Sequence, residues 1–199
     1  MKNIARAVPL VALVAAGCSS STGPTTASTA LHGEVTDPAG DAVQDARVAR
    51  APDLVSATAD VASGTLTLVV QFAPGTFDRQ TTRVAVLLDT DQNGSTGIRQ
   101  ANGTGADYNV DIVAASSLAV VAKANPTTCG AQGSCFDNVG STSVSFMTDG
   151  VQVAVPLSLL GNDDGRMNFQ MNAYVLVAPL TAVVFDFMPD VNLPPGRIQ

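Results

Sequence analysis

Residues 64–72 read "GTLTLVVQF", and the alternation within them decides the fold class. Leu66, Leu68, Val70 and Phe72 fall on one side of an extended chain, while Thr65, Thr67 and Gln71 fall on the other. A helix would scatter these apolar positions around its circumference; a strand of period two collects them on one face. The preceding "DLVSATADV" runs through the short turn "ASGT", so residues 53–73 are predicted as a β-hairpin.

The same pattern predicts further strands at 82–88, 106–114, 117–123, 141–148, 151–156, 168–178 and 181–188. Turns containing Gly, Asn, Asp or Pro separate them at short intervals. Only "PLSLLG" at 156–161 suggests a helical turn, opened by Pro156 and closed by Gly161. Many short strands without intervening helices predict an all-β fold, an antiparallel β-sandwich of jelly-roll type. "TRVAVLL" at 82–88 is apolar on both faces and is expected to be a central, doubly covered strand. "DVNLPPGRIQ" at the carboxyl end reads as a Pro-rich tail. The acidic residues agree with this class: of 17, only Glu34 is Glu, and Asp favours turns and caps where Glu favours helices.

The amino terminus indicates the compartment. Lys2 and Arg6 precede an apolar run from Ala7 to Ala16, too short to span a bilayer, which reads as a secretory signal. It ends in "AAGC" at 15–18, which resembles the bacterial lipobox and implies that Cys18 is lipidated after cleavage; an ordinary signal peptide cut nearby would leave Cys18 as a free thiol. Residues 1–17 are thus expected to be a lipoprotein signal peptide and 18–30 a Ser/Thr-rich flexible tether with a reach of about 20 Å. A β-sandwich domain is expected over 31–199. Ser19 after the cysteine resembles the pattern of lipoproteins sent to the outer membrane, where the host has one. His32, the only histidine, falls beside the tether.

Of three cysteines, Cys129 and Cys135 stand close together in "CGAQGSC" and are expected to form a disulfide in an oxidising compartment. Closing so short a loop restricts the unfolded chain by roughly 2 kcal/mol. A redox or zinc site would need closer spacing or further Cys and His ligands. Without Lys2 and Arg6 the exported chain has 8 cations against 17 acidic groups, a net charge of −9. Nucleic acid is not an expected partner, because basic clusters and aromatic platforms are lacking.

Directly after the central strand comes "DTDQNG" at 89–94. Asp89, Asp91 and Asn93 sit at alternate positions with Gly94 permitting the bend, the spacing of the first half of an EF-hand calcium loop. Its twelfth position is Gln100 rather than a bidentate Glu, and the loop leaves a strand, so it is no EF-hand. A calcium loop that borrows a carboxylate from Asp107 fits the spacing; so does a turn whose side chains cap their own backbone without metal. "DPAGDA", "GNDDG" and "DFMPD" are expected to be turns or caps rather than a second ion site.

The ordered set of "DPAGDA", "GTLTLVVQF", "LDTDQNGSTG", "GADYNVDI" and "MNAYVLVA" resembles the DOMON and family-nine carbohydrate-binding modules of exported bacterial proteins, over about residues 35–190. The resemblance implies a non-catalytic jelly-roll-like sandwich, often calcium-stabilised, with a ligand surface on one sheet. The chain departs from it in having no Trp and only Tyr108 and Tyr174 for stacking on sugars, and its sole His lies outside the matched region. A ligand face is expected from Asn109, Asp111, Gln170, Asn172 and Tyr174, which alternation places on polar strand faces. An ordinary solvated face fits the same residues.

An enzyme of the Ser-His-Asp or Cys-His type needs a well-placed His, and no Asp pair is singled out for glycosidase chemistry. The sequence therefore leads to a lipid-anchored extracytoplasmic binding or adhesion module, with calcium as the expected cofactor and a glycan or envelope protein as partner. The alternative is a purely structural envelope lipoprotein that contacts another protein.

Overall fold

The computed structural model describes residues 30–127, 129, 135–177 and 181–199. Cys18, the expected signal peptide and nearly all of the expected tether lie outside the described residues.

The chain is all-β. Its strands are β1 (Leu31–Thr36), β2 (Leu54–Ala62), β3 (Thr65–Phe72), β4 (Thr82–Asp89), β5 (Ile98–Arg99), β6 (Gly105–Ala106), β7 (Tyr108–Val113) and β8 (Leu118–Ala124), followed by β9 (Phe136–Met147), β10 (Gly150–Pro156), β11 (Met167–Val177), β12 (Thr181–Met188) and β13 (Gly196–Ile198). Every pairing is antiparallel. The order β1-β2-β3-β10-β9-β8-β7-β4-β11-β12 makes one continuous sheet that folds over on itself into a nearly closed, barrel-like sandwich. β5 and β6 form a separate two-stranded ribbon.

Two features turn a long sheet into a two-layered body. β9 serves both layers, since its residues Phe136–Ser143 pair with β8 and Val144–Met147 pair with β10. At the opposite side β13 pairs with β11, while His32 and Gln199 exchange backbone hydrogen bonds of 3.2 Å in both directions. The carboxyl end therefore acts as the bridge that joins the first strand to the other layer.

The predicted hairpin is β2–β3, turning at Ser63 and Gly64. Leu66, Leu68 and Val70 are fully buried, and Phe72 nearly so. They meet Val84, Val86 and Leu88 of β4, Val110 of β7 and Phe169 and Met171 of β11 in a single core. β4 lies between β7 and β11, the central place expected for it. Its outward residues are covered unevenly: Leu87 is buried, whereas Arg83 and Ala85 are half-buried. A smaller cluster of Ala42, Ala51, Val175, Val177 and Phe185 caps one end, where the 37–53 connection packs over β11 and β12.

The "PLSLLG" turn is a 3-10 turn at Leu157–Leu160, closed by Gly161 at φ 75°. Cys129 and Cys135 are bonded, with Cα atoms 4.4 Å apart. No helix among the described residues is long and apolar enough to cross a membrane.

His32 lies within β1, where its Nδ1 is 2.7 Å from Asp60 Oδ1. Two expectations need correction. The carboxyl tail ends in strand β13. β9 begins at Phe136, five residues before the predicted start, on a polar and largely exposed segment that carries no apolar alternation.

Candidate metal centre and the adjoining sheet face

Asp89 is the last residue of β4 and points to the outer side of its sheet, yet it is only 1 % exposed. Its Oδ1 accepts a 2.9 Å hydrogen bond from the Asn93 N–H and its Oδ2 one of 3.1 Å from Asn168 Nδ2. Burial pushes the Asp89 carboxyl above its ordinary range despite these donors.

Asp107 sits between β6 and β7, held by its backbone. Its N–H donates to Leu88 and its carbonyl accepts from Ala124. Its Oδ2 accepts from the Thr90 N–H and the Thr90 hydroxyl, both at 3.0 Å. The register of β4 against β7 returns the chain from the 90–106 excursion to the point where it left, so Asp107 lies beside Asp89 and Asp91.

Asp89, Asp91 and Asp107 each offer a carboxylate oxygen, and the three atoms lie within 4.8 Å of one another. Such a set fits a hard, oxygen-seeking cation of the calcium type, whose ligand distances of about 2.4 Å place opposite oxygens about 5 Å apart. Asn93 contributes differently: its N–H bonds to Asp89 and Asp91, and its own Oδ1 caps the Ser95 N–H. Thr96 Oγ1 donates to the exposed Asp91 carboxylate. The turn-capping pattern and the carboxylate cluster are thus built from the same residues.

The five residues of the predicted ligand face do share one side of a sheet, but not by direct pairing. β7 and β11 are not neighbours; β4 lies between them, so Asn109 and Gln170 flank Leu87 while Asp111 and Asn172 flank Ala85. Tyr174 Oη bridges the gap, donating a 2.6 Å hydrogen bond to Asp111 Oδ1. Arg83 Nη1 stands 3.5 Å from the other Asp111 oxygen. Burial raises both groups, and the hydrogen bond to Asp111 adds to the rise of Tyr174, which reaches about 12. Gln170 is buried and the Asn109 Oδ1 has no hydrogen-bond partner. Asp89 and Asn168 stand at the upper end of this same face.

"GNDDG" behaves as expected of a turn, with Asp163 and Asp164 accepting from the backbone N–H groups of Gly165 and Arg166. "DPAGDA" and "DFMPD" do not remain separate turns. Asp37, Asp41 and Asp190 bring oxygens together, as do Asp41, Asp53 and Asp186. The sequence marked "DPAGDA" and "DFMPD" as separate acidic segments but carried no signal for their meeting one another and Asp53, because the three segments are joined only in the fold. Burial, and secondarily the neighbouring aspartates, push Asp37 up to about 6 and Asp186 up to about 7. A cleft of about 590 Å³ opens beside Arg47, Arg50 and Val175, and none of the sequence-predicted site residues lines it.

Comparisons of the chain with protein-family profiles, with curated proteins and with solved structures found no match.

Proposed function

We propose that the chain is a lipid-anchored, extracytoplasmic binding or adhesion module, non-catalytic, with calcium stabilising the 89–107 loop. The observation that carries this reading is the convergence of Asp89, Asp91 and Asp107 at the rim of the sheet face bearing Asn109, Asp111, Gln170, Asn172 and Tyr174. Calcium would be held by the three carboxylates and would supply charge neutralisation, tying the loop to the end of β4. The polar face next to it offers hydrogen-bond donors and acceptors suited to a glycan or to a polar protein surface.

The single His32 is bonded to exposed Asp60 rather than to a nucleophile, which supports a non-catalytic role. The disulfide supports an oxidising, extracytoplasmic location. Cys18 is the proposed point of lipid attachment. The alternative, a structural envelope lipoprotein contacting another protein, is favoured by Val184 and Phe187, which are 38 % and 37 % exposed on β12 opposite Tyr174 and Asn172.

A glycan array and a pull-down from envelope extract, each run with calcium and with chelator, separate the two. Calcium-dependent glycan binding lost in Asn172→Ala and Tyr174→Ala supports the module. A protein partner captured equally in chelator, with no glycan bound, favours the structural reading. Unchanged melting in calcium and chelator sinks the metal part.

A further inference from the structure

We propose that a second divalent cation of the calcium class binds between Asp37, Asp41, Asp53, Asp186 and Asp190, at a centre sharing no residue with Asp89, Asp91 and Asp107.

Carboxylates from distant segments converge at this centre. Asp37 follows β1, Asp53 precedes β2, Asp186 lies within β12 and Asp190 follows it. Carboxylate oxygens of Asp37, Asp41 and Asp190 lie within 4.8 Å of one another, and so do those of Asp41, Asp53 and Asp186, with Asp41 common to both sets. The spread within each triad matches oxygens arranged around a calcium ion, and Asp41 links the two triads.

A second, independent observation is the state of the buried oxygens. Asp37 is 9 % exposed, and both of its carboxylate oxygens are buried without any hydrogen-bond partner. Asp53 is 6 % exposed; its Oδ2 accepts from the Gly40 N–H at 2.8 Å, while its Oδ1 is buried and unpartnered. Three buried carboxylate oxygens of the cluster therefore have no hydrogen-bond partner, and the oxygen that Asp37 brings to its triad is one of them. Buried charges are tolerated when they are paired or when they coordinate a metal. No Lys or Arg forms an ion pair with any of the five among the described residues.

The remaining members are already oriented. Asp186 Oδ2 accepts from the Leu54 N–H at 2.6 Å and Oδ1 from the Phe187 N–H at 2.8 Å, which fixes the carboxylate plane and leaves each oxygen a further lone pair. Asp41 and Asp190 are exposed and complete the cluster from the solvent side. An all-carboxylate donor set without His or Cys selects a hard cation over zinc, and several direct carboxylates suit calcium better than magnesium, which keeps most of its waters. The bound ion would lash the 37–53 connection to β12, over the end cluster of Ala42 and Phe185.

The test uses the full-length chain stripped with chelator, with calcium chloride as the probe, in equilibrium dialysis and thermal melts. Wild type is expected to bind two equivalents. Asp41→Asn/Asp190→Asn, which alters two exposed side chains, is expected to bind one, and Asp89→Asn/Asp107→Asn is expected to lose the other. Limited proteolysis between residues 38 and 50 should slow in calcium for wild type and not for Asp41→Asn/Asp190→Asn. A variant that keeps the wild-type stoichiometry, melting shift and protection overturns the proposal. A wild type with one equivalent that disappears in Asp89→Asn/Asp107→Asn refutes this centre and leaves the loop reading standing; loss only in Asp41→Asn/Asp190→Asn does the reverse. Asp37→Asn provides a further check, because removing an unpaired buried charge should raise the melting temperature in chelator while abolishing part of the calcium response. A lower melting temperature in chelator counts against it.

Discussion

Tyr174 and Asp111 are joined by a 2.6 Å hydrogen bond that passes over the intervening strand β4, from β11 to β7. Both side chains are half-buried, and Arg83, on the strand beneath, stands 3.5 Å from Asp111. The phenol donates, so the bond exists only while Tyr174 keeps its proton.

That requirement sets a pH dependence. Tyr174 is raised from 10.0 to about 12 in the fold, chiefly by burial and then by Asp111. A raised acid contributes stability that is fully present below its unfolded value and is lost as pH climbs through the folded value. Stability from this pair should hold up to about pH 10 and fall between there and about 12. In an alkaline absorbance titration, Asp111→Asn should bring the later phenolate step downward. An unchanged step in that variant would show that Asp111 is not responsible. Tyr174→Phe should cost about 1 kcal/mol at neutral pH in urea unfolding.

Calcium at the 89–107 loop should appear as a ligand-dependent gain in stability. At a hundred times its dissociation constant, an ion that binds only the folded chain adds about 2.7 kcal/mol, or about 5–10 °C in melting temperature for a domain of this size. Differential scanning fluorimetry should show that Asp89→Asn removes this loop's share of the gain. An undiminished response in Asp89→Asn would rule out Asp89 as a ligand.

The seam between β1 and β13 depends on the absence of a side chain at Gly33. A Cβ there would lie 2.5 Å from the Arg197 carbonyl oxygen. Gly33→Val should destabilise the chain by about 1–3 kcal/mol through overpacking. Hydrogen exchange should accelerate at the His32 and Gln199 amides, which bond across the seam. Glu34→Val, on the exposed side of the same strand, should leave those amides protected.

The Cys129–Cys135 bond closes a loop between β8 and β9. Its reduction, or the double substitution to Ser, should lower stability by about 2 kcal/mol, or about 4–8 °C in melting temperature, read by calorimetry. The calcium response should persist, since neither cysteine belongs to a carboxylate cluster.

Period-two alternation was enough to locate β2, β3, β4, β7, β8, β10, β11 and β12, because their inward positions carry apolar side chains that sequence displays directly. The local spacing of Asp89, Asp91 and Asn93 likewise marked the loop after β4. β1 and β13 were hidden for a physical reason. Their inward positions include Gly33 and Gly196, where the neighbouring Arg197 backbone and Phe169 ring leave no room for a Cβ, so the apolar signal is missing where packing is tightest. The sheet face was legible as residues but not as a surface, since the bridging of β7 and β11 over β4 is a matter of strand order. The assembly of Asp37, Asp41, Asp53, Asp186 and Asp190 was hidden altogether. Carboxylates more than a hundred residues apart carry no mutual pattern along the chain, and closure of the sandwich alone decides that their charges meet.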